Sequence, residues 1–127
     1  MTKETALTTD FKNALERFGE ALSAPKTELN RDAAIKRFEF CFDLAWKLVK
    51  EVLETKYGIL CISPKTCLRE AYKQRLVEKY DNGWITMADD RNLTVHTYNE
   101  ELAGEVYLRL PKALELFTAL RDKLSES

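Results

Sequence analysis

The stretch Arg91-Asn92-Leu93-Thr94-Val95-His96-Thr97-Tyr98 holds the only histidine of the chain, five residues after an arginine and two before a tyrosine. A guanidinium grips phosphate oxygens through paired N–H donors, and an imidazole changes charge near neutral pH. Together they suit a phosphodiester. In a metal-free reaction His96 acts as general base on a ribose 2′-hydroxyl or as acid on the leaving oxygen, while Arg91 offsets the charge that develops on the phosphorus oxygens. Asn92 and Thr97 add hydrogen-bonding groups to such a substrate site. Two copies across a dimer cleft supply both an acid and a base. Spacing of this kind also arises by chance, and the competing reading makes His96 a helix-corner residue bonded to the backbone.

On a straight helix each residue turns by about 100°, so Arg91 and Tyr98 share a face while His96 points roughly 140° from Arg91. A break is therefore needed. Thr97-x-x-Glu100 reads as a capping box, which puts Arg91 in the last turns of one helix and His96 at the corner before the next, where the guanidinium can lean toward the imidazole. The free N–H groups of that helix start suit an anion, although Glu100 and Glu101 disfavour a second negative charge beside it. A further basic stripe, Lys65, Arg69 and Lys73 at four-residue steps, is either a phosphate-facing groove or a solvated face.

The elements that must carry these groups read as helices throughout. Phe11, Ala14, Leu15, Phe18, Ala21 and Leu22 mark one face of a first helix, capped by Thr8 or Thr9 and ending before Pro25. Asn30 caps a second, whose seam Ile35, Phe38, Phe42, Ala45, Val49 and Val52 runs to about Lys56 before Gly58 stops it. Phe40, Leu44, Trp46 and Leu48 widen its apolar surface, so it contacts helices on several sides or joins a subunit interface. Ser63-Pro64 opens a third helix through about Val77, with Cys67, Leu68, Ala71, Tyr72 and Leu76 inward. Asp81-Asn82-Gly83 precedes a fourth with Trp84, Met87, Ala88, Arg91 and Val95 in one sector. A fifth starts near Tyr98 with the seam Leu102, Val106, Leu110, Ala113, Phe117, Leu120 and Leu124, kinked or divided at Pro111. The fold expected is all-α, an up-and-down four-helix bundle with one short extra helix, forming a single domain over 1–127.

Composition agrees. In 127 residues, 45% apolar and 32% charged, one core is affordable and two are not. The net charge of −1 gives no global basic footprint, so nucleic acid would need a local patch. Cys41, Cys61 and Cys67 are odd in number with no C-x-x-C pair, which points to reduced thiols and not to a disulfide framework or zinc cage. No metal or other cofactor is expected. With no signal-like start and no apolar run of roughly 18 to 20 residues, a cytoplasmic protein outside the membrane is expected.

The string from Arg91 to Tyr98 also resembles the R-x4-6-H motif, in its extended form R-x4-H-x-Y, of the HEPN family (higher eukaryote and prokaryote nucleotide-binding). Arg37-Phe38-Glu39 with Trp46, Ser63-Pro64-Lys65, and Trp84 ahead of the motif are similar to its branch of nucleotidyltransferase substrate-binding proteins, over about Phe11 to Leu120. The resemblance implies a helical bundle that forms homodimers and pairs with a small nucleotidyltransferase encoded nearby, often as toxin and antitoxin. It further implies a metal-independent ribonuclease site of Arg91 and His96 at the dimer cleft, with Tyr98 receiving adenylate from the partner. The substrate-binding branch implies an alternative, a non-catalytic subunit that presents a nucleotide or polymer to the nucleotidyltransferase.

Overall fold

In the computed structural model, residues 2–77, 82–96 and 99–126 are described. Among them lie α1 (Lys3–Ser23), α2 (Glu28–Tyr57), α3 (Pro64–Lys73), α4 (Asn82–His96) and α5 (Glu100–Ser125). Four long helices form the bundle and α3 is the short extra one, as the apolar periodicity implies. The spine is α2, which packs against every other helix. Its whole seam from Ile35 to Val52 is buried, and Leu48 joins it, whereas Phe40 stays 55% exposed.

The core closes on Phe117 of α5. Its ring meets Phe11, Phe18 and Trp84 edge-on, with centroids 5.9 to 6.1 Å apart, and lies tilted against Phe38 at 6.2 Å. Three helices thus converge on one side chain of a fourth. Burial of such rings contributes both area and directional ring contacts, so this layer ties α1, α2 and α4 to α5.

Helix ends depart from the sequence expectations in ways that hydrogen bonds explain. Thr2 caps α1 by accepting from the Thr5 N–H, while the Thr8 hydroxyl donates back to the Glu4 carbonyl inside the helix. Thr27, not Asn30, caps α2: its Oγ1 accepts from the Asn30 N–H, and the Asn30 amide turns to the Pro25 carbonyl. Gly58 stops α2 in the left-handed region at φ 66°, and Ser63 caps α3 ahead of Pro64, both as expected.

Short of Val77, α3 ends at Lys73. Arg75 adopts φ 61°, its N–H bonds to the Tyr72 carbonyl, and the Leu76 N–H reaches the Ala71 carbonyl at 2.8 Å. This is a Schellman closure with arginine in the place that glycine usually holds. Leu76 is buried by that closure and not by a helical face, and Tyr72 is 46% exposed where an inward position was expected.

Pro111 does not divide α5, which continues from Glu100 to Ser125. Cys61 and Cys67 form a disulfide across the start of α3, contrary to the reduced thiols expected for them. The loop after Gly58 folds back so that their Cα atoms lie 5.3 Å apart, a closeness that no sequence motif announces. Cys41 alone is a free thiol, buried in the core. No helix among the described residues is long and apolar enough to cross a membrane.

Candidate functional site

The placement of Arg91 follows from the turn before it. Trp84, Met87 and Ala88 are buried and set the inward sector of α4, so Arg91 follows on that sector at its half-buried margin. There its Nε donates to Asp43 Oδ1 at 2.9 Å and its Nη2 to Asp43 Oδ2 at 3.1 Å. Both side chains keep 29% exposure, so the pair is partly shielded from solvent screening.

The preceding residue is held just as firmly. Asp90, only 4% exposed, accepts from Arg109 of α5, Nε to Oδ2 at 2.8 Å and Nη2 to Oδ1 at 2.7 Å. That hydrogen-bonded partnership pushes the Arg109 guanidinium above its usual range, with burial opposing it. Consecutive residues of α4 are therefore locked to different helices by two-pronged arginine–carboxylate pairs, Asp90 to α5 and Arg91 to α2.

Beside Arg91 a pocket of about 460 Å³ opens between α2, α3 and α4. Asp43, Trp46 and Lys47 line it from α2, Lys65 from the first turn of α3, and Arg91 with Asn92 from α4. Its size falls in the range of roughly 300–1,000 Å³ that small-molecule sites occupy. Lys65 Nζ is itself anchored 2.7 Å from Asp89 Oδ1. A lining that combines Trp46 with the cations Lys47, Lys65 and Arg91 suits a nucleotide-sized anion.

His96 lies apart from this pocket. It is the last residue of α4, exposed, and does not line the cavity. Between α4 and α5, where a cap at Thr97 was expected, the cap of α5 is Asn99, whose Oδ1 accepts from the Leu102 N–H at 2.8 Å. Glu100, expected to complete a box with Thr97, turns instead to Arg31 of α2 at 3.0 and 3.2 Å. Because α4 stays helical through His96, Arg91 and His96 do not converge within one protomer. Asn92 links them: it lines the pocket and, with Leu93 and His96, shares one exposed face of α4. Thr97 and Tyr98 lie outside the described residues, as does Asp81 of the expected turn.

Of the basic stripe, Lys65 alone reaches the pocket. Arg69 and Lys73 are exposed on α3, with Lys73 3.3 Å from Glu70. Asp43, Asp90 and Arg109 were not singled out by sequence reasoning. A carboxylate at position 43, set between the buried Phe42 and the half-buried Leu44, is the signal that was available.

Residues 7–126 match the protein family described as nucleotidyltransferase substrate binding protein like. The chain belongs to this family. It is 31% identical over 102 residues to a Haemophilus influenzae protein named probable ribonuclease HepT, covering 73% of this chain and 66% of that relative, just under two thirds of its length. A Thermus thermophilus protein of 36% identity shares the fold with a TM-score of 0.82, over 90% of this chain and 98% of its own. So does a tri-AMPylated HEPN toxin of Shewanella oneidensis, solved in complex with an MNT antitoxin, at 15% identity, full coverage of both chains and a TM-score of 0.80. A Haemophilus influenzae protein presented as the fold of a substrate binding domain of a nucleotidyltransferase aligns at 24% identity over 96% of both chains, with a TM-score of 0.67. At those last two identities the likeness speaks for fold alone. Membership in the nucleotidyltransferase substrate-binding family agrees with the resemblance read from the Arg91 to Tyr98 string.

Proposed function

We propose that this chain is the HEPN-type partner of a small nucleotidyltransferase in a two-gene module of toxin–antitoxin type, and that two copies together form a metal-independent endoribonuclease. Arg91 binds the scissile phosphate, His96 transfers the proton, and Tyr98 accepts the adenylate with which the partner silences the site. Asn92 and Lys65 extend the phosphate contacts along the pocket rim, Thr97 adds a hydroxyl near the corner, and Arg69 and Lys73 attract the strand from further out.

One observation carries this reading: Arg91, held by Asp43, lines the pocket while His96 stands exposed on a face with Asn92 and the 45% exposed Leu93. A second copy laid on that face covers an apolar side chain and brings its own His96 toward the first copy's Arg91. The name of the HepT relative supports the same reading. Expression of the chain alone, with its neighbouring nucleotidyltransferase, and as His96→Ala tests it. RNA degradation and arrested growth are expected for the chain alone only; intact RNA and normal growth in every case remove the ribonuclease.

A second reading is favoured by the pocket that Trp46, Lys47 and Lys65 share with Arg91. In it the chain is a non-catalytic subunit that holds a nucleotide or polynucleotide for the nucleotidyltransferase. Binding that survives His96→Ala without any cleavage by the unaltered chain selects it.

A further inference from the structure

We infer that Asp43 is a positioning residue for Arg91, presetting the guanidinium so that one edge is free for a phosphodiester. The inference rests on the reading of Arg91 as a phosphate ligand.

A guanidinium carries five N–H donors in one plane. Asp43 takes the Nε–H and one of the two on Nη2, so it holds the side edge of the group. The end edge, made of Nη1 and the remaining Nη2 hydrogen, is the other fork that matches two phosphate oxygens. Carboxylate and phosphate therefore need not compete for the same donors. An arginine side chain has several rotatable bonds, and fixing it before the ligand arrives removes part of the ordering cost from binding.

The alternative is that the pair only fastens α4 to α2. The rest of the helix argues against this, since α4 is independently held by buried Trp84 and Met87 and by the pair of Asp90 with Arg109. Removing the Asp43 carboxylate frees the guanidinium and leaves its helix in place. Asp43 also lines the same pocket as Lys47, Lys65 and Arg91, where its negative charge offsets part of theirs. If charge were all that mattered, deleting it would strengthen the binding of an anion; if orientation matters more, deletion weakens it. The two accounts predict opposite signs.

The test uses the full chain with Asp43→Ala, Asp43→Asn, Asp43→Glu and Arg91→Ala, each titrated at fixed salt with a fluorescent single-stranded RNA oligonucleotide whose 2′-hydroxyls are methylated so that it is bound without being cut. Solvent exchange of the Arg91 side-chain Nε–H, assigned by its loss in Arg91→Ala, is followed by NMR in parallel. Asp43→Ala should weaken binding about tenfold, a loss equivalent to one good charged contact, and expose the Nε–H to fast exchange. Asp43→Glu should recover most of both. Asp43→Asn, the same shape without the charge, should fall between and serves if the alanine variant does not fold. Unchanged or tighter binding in Asp43→Ala, alongside a loss in Arg91→Ala, overturns the inference. Should Arg91→Ala bind like the unaltered chain, the phosphate role of Arg91 fails separately. A fast-exchanging Nε–H in the unaltered chain then overturns the positioning role on its own.

Discussion

Arg91 and His96 stand on one uninterrupted helix, five residues apart, the first turned to Asp43 on α2 and the second exposed at the helix end. About 140° of helical rotation separates residues at that spacing. Within a single protomer they face different surroundings, and Asn92 is the residue common to both. The chemistry assigned to the pair therefore calls for a second copy. Leu93→Glu, which puts a charge on the shared face of Asn92 and His96, should leave only monomer in sedimentation, where the proposed function has the unaltered chain dimeric, and abolish RNA cleavage while leaving the helical signal intact. A monomeric variant that still cleaves at the original rate contradicts the two-copy site.

The Asp90–Arg109 pair should be asymmetric in its contribution to stability. Asp90 retains 6% side-chain exposure and Arg109 41%. Arg109→Ala leaves a buried carboxylate without its cation and should cost roughly 3 kcal/mol or more, whereas Asp90→Ala leaves a guanidinium that can reach water and should cost about 1 to 2 kcal/mol. Urea denaturation of the two variants compares them. Equal losses mean that burial of Asp90 is not what sets the energy.

Phe117→Ala removes the ring on which α1, α2 and α4 converge. A loss of about 3 to 5 kcal/mol is expected for a phenylalanine truncated in a packed core, a large part of the stability of a domain this size. Thermal unfolding should show a fall of many degrees or no cooperative transition. A shift within experimental scatter rules out the convergence as the centre of cohesion.

Much of the fold was legible in the residues themselves. The 3, 4 alternation from Ile35 to Val52 yields the spine, because a seam of that length has no alternative period, and Ser63-Pro64 and Gly58 mark real ends since their backbone preferences are strong. Capping hydroxyls were ambiguous where several threonines and an asparagine lie close together, and only the bonds show that Thr2 and Thr27 serve. Arg75 ends α3 in a conformation that sequence rules assign to glycine, so the end of α3 was misplaced. The disulfide and the partners of Arg91 and Asp90 are contacts between residues distant in sequence or across a loop. Spacing along one helix carries no record of them.

Burial of Cys41 pushes its thiol up from the ordinary cysteine range because the thiolate would sit desolvated in the core. The folded state thus keeps the neutral form, while the unfolded chain ionises above about pH 8.5. Stability from this group is complete below that pH and declines as pH rises through it. Cys41→Ser should flatten the alkaline part of the stability profile. In the native chain a maleimide should leave Cys41 unlabelled at neutral pH and react once urea unfolds it; rapid labelling of the folded chain contradicts its burial.

The most direct measurement is cleavage of a defined RNA oligonucleotide by the purified chain in excess EDTA, with His96→Ala and Arg91→Ala in parallel. The unaltered chain should cut without metal, His96→Ala should bind the RNA yet leave it whole, and Arg91→Ala should neither bind the RNA well nor cut it. Cleavage by His96→Ala at the unaltered rate, or RNA left intact by a folded, dimeric chain, contradicts the ribonuclease assignment.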